Sequence, residues 1–251
     1  MLNKVPEITL FFWVIKIMAT TVGETAADFL SETLKLGLTG TSYVMSGLLL
    51  IVLMFQLTSK KYIPAIYWAV VVLLSVVGTL ISDNLVDNLG VSLTTTSILF
   101  GSALTVVFVG WYVSEKTLSV HTVDTSRREL FYWAAILFTF SLGTSAGDLV
   151  AENAGLGYGY SALLFAAVIG LVFLAYYYLK MNAILAFWIA YILTRPLGAS
   201  MGDLLSQPVA EGGIGLGTTV TSIFFLLIIL SLVIYLTMRH KKHPVVSIPE
   251  G

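Results

Sequence analysis

The chain has 251 residues, of which 57% are hydrophobic and 11% charged, and its mean hydropathy is +0.93. This composition excludes an ordinary soluble domain. The formal net charge of −1 gives no reason to expect a nucleic-acid partner. The chain has no Cys, and its three His lie in polar stretches, so disulfides, thiolate metal sites and an intramembrane haem are not expected. We predict an integral membrane protein with no cofactor other than a bound metal cation.

Eight apolar segments follow along the chain, each long enough to span a bilayer. They cover roughly residues 9–30, 40–57, 62–84, 93–113, 129–151, 158–179, 182–205 and 215–238. Short stretches rich in Gly, Ser and Thr separate several of them and supply turn and helix-capping residues. The first segment contains Trp13 and Lys16, and no small-residue cleavage site follows it. We therefore interpret it as a retained transmembrane helix rather than a signal peptide.

The placement of Lys and Arg predicts the orientation of these helices. Of the 13 basic residues, 10 fall on one side of the predicted membrane, one (Lys35) on the other and two (Lys16 and Arg195) inside helices. We expect both termini in the cytoplasm. The chain divides into a first half (1–115), a cytoplasmic linker (116–128), a second half (129–238) and a cytoplasmic tail (239–251).

The pattern Trp-x9-Gly-x4-Asp occurs four times with unchanged spacing. The copies are Trp13/Gly23/Asp28, Trp68/Gly78/Asp83, Trp133/Gly143/Asp148 and Trp188/Gly198/Asp203. Each copy contains two predicted helices, a motif helix and a return helix, so the chain consists of four two-helix repeats. Because the number of helices per repeat is even, all four repeats are parallel. We expect an all-α fold with pseudo-rotational symmetry about the membrane normal.

Each motif helix carries carboxylates near its predicted outer end, where an ionisable group is costly and suggests function. Counted from the Trp, position +15 is always Asp and position +19, one turn later on the same face, is acidic in three repeats. Like charges on converging helices require a cation, protons or basic partners, and oxygen ligands suit a hard cation. The predicted ion- or substrate-binding residues are Asp28, Asp83, Asp148, Asp203, Glu24, Glu32, Asp87 and Glu152, and the predicted metal ligands are Glu24, Asp28, Asp83, Asp148 and Asp203. Structural hydrogen bonding between helices and simple marking of the water boundary are the alternative interpretations.

Three residues inside the helices break the pattern of the repeats. Glu24 lies nearer mid-membrane than the Asp residues, and Arg195 and Lys16 lie closer to the cytoplasm. If the repeats close into a ring, Glu24 and Arg195 are neighbours and a plausible buried pair. Lys16 and Arg195 are predicted to compensate charge or to couple transport, and Pro196 is predicted to kink the seventh helix.

The repeated tryptophans and glycines have structural explanations as well. Trp13, Trp68, Trp133 and Trp188 are expected to form an interfacial belt or packing contacts, with an inner constriction as the alternative. The glycine at position +10 falls near mid-membrane, where it allows close helix approach or a bend.

The Trp-bearing two-helix unit, repeated four times over about residues 8–238, resembles a bacterial family of small membrane proteins known chiefly for that repeat and of unknown function. The resemblance implies an eight-helix fold in the bacterial inner membrane. It implies no substrate and no functional residues.

The residues favour a transporter or channel for a hard cation, with a divalent metal such as Mn²⁺ or Mg²⁺ preferred. A proton-coupled small-molecule permease is the first alternative, and a non-transporting scaffold or sensor is the second. An enzyme is not expected, because no Ser/His, Cys/His or His-metal constellation exists. The predicted partners are the lipid bilayer and a small cation, and the sequence leaves the oligomeric state open.

Overall fold

The structure is a computed structural model that describes residues 3–242, with side chains described to residue 239. Within this range it contains eight long α-helices: α1 Leu10–Asp28, α2 Gly37–Thr58, α3 Pro64–Asp83, α4 Leu93–Glu115, α5 Ser126–Asp148, α6 Gly157–Tyr178, α7 Ala183–Ser206 and α8 Thr218–Lys242. All eight are long and apolar enough to cross a membrane. The predicted all-helical fold is confirmed, and the helices indicate a multi-pass protein in a lipid bilayer.

The four motif helices α1, α3, α5 and α7 form the centre of the molecule. Each packs against the next along the chain, and α7 packs against α1, so the four close into a ring. Between 56% and 72% of the residues in their apolar windows are buried, against 11% to 28% in the return helices. The return helices therefore form an outer layer whose exposed apolar side chains suit contact with lipid.

Each return helix packs against the motif helix of the next repeat: α2 against α3, α4 against α5, α6 against α7 and α8 against α1. Small hydroxyl residues join two of these pairs. The Ser97 hydroxyl of α4 donates to Ser145 at 3.1 Å, and the Ser222 hydroxyl of α8 donates to Thr25 at 2.7 Å. The outer layer therefore ties neighbouring repeats together.

The repeated glycines permit the close approach of the motif helices. A Cβ atom built at Gly78 would lie 2.7 Å from Phe140 Cβ, and one built at Gly198 would lie 2.7 Å from Thr20 Cβ. Gly23 faces Ser75 and Gly143 faces Arg195 in the same way. In every repeat the glycine at +10 thus makes room for the residue at +7 of the next repeat, with the fourth repeat facing the first.

The ends of the motif helices differ between the first three repeats and the fourth. Directly after Asp28, Asp83 and Asp148 the helix widens into a five-residue π-turn, with backbone bonds such as Leu34 N to Phe29 O at 3.0 Å. In the fourth repeat α7 continues past Asp203 to Ser206 and ends before Pro208. The Asp residues therefore mark a change in helical geometry in three copies, a feature found often at functional sites.

Several predicted boundaries shift slightly. α7 continues through Pro196 as one helix, and the kink predicted there stays a prediction. α5 begins at Ser126, inside the predicted linker 116–128. The predicted tail 239–251 begins within α8, and its residues 243–251 lie outside the described residues.

Candidate functional site

The contacts along the centre of the bundle join residues at equivalent positions of the four repeats. Positions −1, +3, +7 and +11, counted from each Trp, are all buried and form successive layers. We call the end that holds the four tryptophans the Trp end and the opposite end the Asp end. The layers from the Trp end are Phe12/Tyr67/Tyr132/Phe187, Lys16/Val71/Ile136/Tyr191, Thr20/Ser75/Phe140/Arg195 and Glu24/Thr79/Thr144/Ala199.

Aromatic side chains fill the Trp end of the bundle, and we call them the aromatic layer. Each Trp packs against the aromatic residue at −1 of the preceding repeat. The ring centroids are 5.6 Å apart for Phe12–Trp68, 5.4 Å for Tyr67–Trp133, 6.3 Å for Tyr132–Trp188 and 5.7 Å for Phe187–Trp13. The Tyr67 and Tyr132 hydroxyls share a hydrogen bond at 2.5 Å. The tryptophans thus lie inside the protein, three of them nearly fully buried, and contribute to a layer that closes this end.

Lys16 is fully buried in the next layer from the aromatic layer toward the Asp end. Its ammonium donates to Thr194 Oγ1 at 2.7 Å and to the Tyr191 carbonyl at 3.2 Å. It also lies 3.7 Å from the centroid of the Tyr191 ring and 4.9 Å from that of Phe140. Within the described chain Lys16 forms no ion pair, and its polar contacts are a carbonyl, a hydroxyl and two aromatic rings.

Arg195 lies at the centre of the bundle and contacts all three of the other motif helices. Its guanidinium donates to Glu24 Oε2 at 2.8 Å, to the Thr20 carbonyl at 2.9 Å and to Thr144 Oγ1 at 2.7 Å, and it also bonds to Thr79 Oγ1. The side chain is 0% exposed, and that of Glu24 is 8% exposed. The two predicted neighbours therefore form a buried, hydrogen-bonded ion pair across α1 and α7.

The four Asp residues at +15 surround the centre beyond this pair. Asp28, Asp83 and Asp148 are partly exposed, whereas Asp203 is buried. Each of the four interacts electrostatically with Glu24. The acidic residues at +19, Glu32, Asp87 and Glu152, are exposed at the Asp end. The carboxyl groups of all four repeats thus interact with one another, from Glu24 to the surface of the Asp end.

These carboxylates do not form a compact metal site. Within the part of the chain that the structure describes, no three His, Asp or Glu side chains lie close enough together to hold a metal ion. The predicted ligands Glu24, Asp28, Asp83, Asp148 and Asp203 surround the centre without sharing one point. A cation that entered here would complete its oxygen shell with water and hydroxyls, as Mg²⁺ commonly does.

Sequence reasoning missed the four aromatic residues at position −1 and the hydroxyl partners of Arg195. The sequence did contain a signal for them, because an aromatic residue directly precedes every repeated Trp: Phe12, Tyr67, Tyr132 and Phe187. Thr79 and Thr144 occupy the same position in their repeats as Glu24 does in the first. Their contact with one guanidinium depends on α7 packing against α1 to close the ring of motif helices, and no local sequence pattern shows that contact.

A family model described as a repeat of unknown function, DUF347, matches residues 11–62, 66–117, 131–182 and 186–242. Each matched segment begins two residues before a repeated Trp, so the predicted division into four repeats is confirmed. Comparison with curated proteins gave no match, and neither did comparison with solved structures.

Proposed function

Because the chain belongs to this DUF347 family, whose description assigns no activity, we propose a function from the site itself: the protein is a membrane carrier for a hard cation that enters at the Asp end. The observation that carries the proposal is that Glu24 interacts electrostatically with all four Asp at +15, one from each motif helix. Only two basic side chains, Lys16 and Arg195, lie on that axis in the described residues. The excess negative charge requires protons or a cation.

The proposed topology places the Asp end outside the cell. The positive-inside distribution of Lys and Arg supports cytoplasmic termini in a bacterial inner membrane. The contacts between equivalent positions support four parallel repeats related by rotation about the membrane normal. In this orientation the acidic side chains concentrate cations at the outer mouth before they enter.

A carrier explains the axis better than an open channel does. The Arg195 side chain crosses the axis and contacts the three other motif helices, and the aromatic layer fills the axis below it. A cation that approaches Glu24 competes with the Arg195 guanidinium for the same carboxylate. The hydroxyls of Thr79 and Thr144 and the Thr20 carbonyl can retain the guanidinium when Glu24 releases it, so Arg195 provides a means of coupling.

The preferred cargo is a divalent hard metal such as Mn²⁺ or Mg²⁺. Carboxylate, hydroxyl and water oxygens are the ligands that these ions take, and in this chain no Cys or described His is available on the axis to favour a softer metal. The scattered placement of the acids suits a transported ion, which must bind and leave.

A proton-coupled permease for a small organic molecule is the second candidate. The buried Lys16 and the aromatic side chains around it favour this candidate, because they could contact an anionic or aromatic solute. In that case the carboxylates would carry protons rather than a metal.

The test is flux into vesicles that contain the purified protein and a metal-sensitive dye. Wild type is expected to admit Mn²⁺, and the variant with all four +15 Asp changed to Asn is expected to lose at least about 90% of that flux, because charge at the site falls. Glu211→Gln, which removes an exposed acid at the Asp end outside the four motif helices, is the matched control. Equal flux in wild type and the fourfold variant, or no flux of any cation, would overturn the proposal. Solute uptake that depends on a proton gradient would support the second candidate instead.

A further inference from the structure

Two segments outside the eight long helices lie across the Trp end of the bundle, beyond the aromatic layer. They are residues 3–8, before α1, and residues 116–125, between α4 and α5. The backbone N–H of Lys4 donates to the Val123 carbonyl at 3.0 Å, which joins the two segments. Val5, Val120 and Val123 are buried in the same hydrophobic core as the aromatic layer. We call these two segments together the end cap.

The end cap is bonded directly to the aromatic layer. The indole N–H of Trp188 donates to the Leu118 carbonyl at 2.9 Å. A displacement of residues 116–125 therefore breaks a bond to one of the four repeated tryptophans. Trp188 also packs against Tyr132 and Tyr191, so a change at the cap reaches the layer that closes the axis.

A buried ion pair holds the cap against the helices. Lys4 Nζ lies 2.6 Å from Glu129 Oε2, and the two side chains are 2% and 1% exposed. Lys4 also donates to the Leu57 carbonyl at 3.0 Å, and Gln56 Nε2 donates to the other oxygen of Glu129 at 2.9 Å. This cluster connects the N-terminal segment, the end of α2 and the first turn of α5, which belong to opposite halves of the chain.

The burial of this pair is unusual for its position. Charges at the ends of membrane helices are normally solvated, as Arg127 is, with 68% of its side chain exposed two residues from Glu129. Burying two charges costs desolvation, so such a pair contributes more to a defined arrangement than to stability. Water that reached Lys4 and Glu129 would solvate both charges and weaken the attraction between them.

We propose that the end cap is the gate at the Trp end and that the Lys4–Glu129 pair is its latch. The purpose of the gate rests on the proposed carrier function, since a carrier must open its two ends in turn. In the present structure three of the four Asp residues at +15 are partly exposed, while the Trp end is closed by both the cap and the aromatic layer. Release of cargo at the Trp end requires the latch to open.

The experiment uses two single cysteines introduced separately into the chain, which has none of its own. Val123→Cys reports exposure of the cap, and Val71→Cys reports access to the axis behind the aromatic layer; both valines are 0% exposed. A charged thiol reagent that does not cross membranes is added to the Trp-end face of vesicles, and the rate of modification is measured. Glu129→Gln is expected to raise both rates at least about tenfold, because it leaves Lys4 buried without its counter-charge. Arg127→Gln, an exposed charge nearby, is the matched control and is expected to change neither rate.

Three outcomes would overturn the gate. The first is that folded Glu129→Gln leaves the modification rates at both cysteines at their wild-type values. A rise at Val123 alone would mean that the segment loosens without opening the axis. If Glu129→Gln does not fold, the double variant Lys4→Ala/Glu129→Ala serves instead, because it removes every side-chain contact of the latch and buries no unpaired charge. Unchanged rates in that variant overturn the latch. Cation flux is measured separately, so a failure of the carrier proposal is seen independently of the labelling result.

Discussion

The ion pair between Glu24 and Arg195 makes a quantitative prediction that separates a coupled pair from two independent buried groups. Glu24→Gln removes the carboxylate from a guanidinium that is 0% exposed. Removing one partner of a buried pair costs about 3–5 kcal/mol, because the other charge stays buried. Arg195 keeps the Thr20 carbonyl and two threonine hydroxyls as acceptors. We therefore expect a loss near the lower end, about 3 kcal/mol.

A double-mutant cycle tests this expectation. Arg195→Met leaves the Glu24 carboxylate without its guanidinium and is expected to cost a similar amount, whereas the double variant Glu24→Gln/Arg195→Met buries no unpaired charge. The sum of the two single losses in unfolding free energy should exceed the loss in the double variant by about 2 kcal/mol. The free energy of unfolding is measured in mixed micelles by titration with a denaturing detergent, with Trp fluorescence as the signal.

The matched control is a cycle on a pair with one exposed partner, Arg127 and Glu115, in which Glu115 also accepts a hydrogen bond from Arg128 at 2.8 Å. Arg127 and Glu115 lie 3.8 Å apart, and Arg127 is largely exposed. Solvent screening limits the coupling of such a pair to less than about 1 kcal/mol. Additive losses for Glu24 and Arg195, within about 0.5 kcal/mol, would refute the view that the two act as one unit.

Two further predictions concern the packing of the motif helices. Gly78→Ala should lower the free energy of unfolding by about 1–3 kcal/mol, because the added methyl group overlaps Phe140. The control is Gly47→Ala in α2, which should be neutral or slightly stabilising because no atom lies within 4 Å of the added carbon. Equal effects of the two substitutions would contradict the close approach of the motif helices at Gly78. Tyr67→Phe should lower the free energy of unfolding by about 1–3 kcal/mol, because it leaves the buried Tyr132 hydroxyl without its partner. Changing both tyrosines to Phe should cost less than Tyr67→Phe alone, because no hydroxyl is then left unpaired. Unfolding in the same micelle titration checks both sets of variants, and a double variant less stable than Tyr67→Phe would count against the shared hydrogen bond.

The sequence predicted the fold well because the relevant physics is periodic. Spanning helices need about 20 apolar residues, and the unchanged spacing of Trp, Gly and Asp indicated four copies of one unit. The close approach at the +10 glycines follows from the same pattern, as Gly198 facing Thr20 shows. Each of these features repeats along the chain, so a count from the Trp was sufficient to find it.

The Lys4–Glu129 pair could not be predicted in this way. Both residues lie at the ends of apolar segments, where a charge is normally assigned to water. Their burial depends on the N-terminal segment folding back across the Trp end to meet residues 116–125, which belong to a connection between the two halves. Hydropathy reports whether a segment enters the membrane and carries no information on what covers its end.

The position of Arg195 shows how one repeated frame can hold a specialised site. The residue at +7 differs in every copy, and only the fourth copy has a charged one: Thr20, Ser75, Phe140 and Arg195. The glycine of the preceding repeat leaves room for each, so this layer accepts a guanidinium where another copy holds a hydroxyl. The layer above supplies Glu24, Thr79 and Thr144 as oxygen partners from the three other repeats. The frame therefore depends on the residues that the copies share, and the chemistry of the site depends on the positions at which the copies differ.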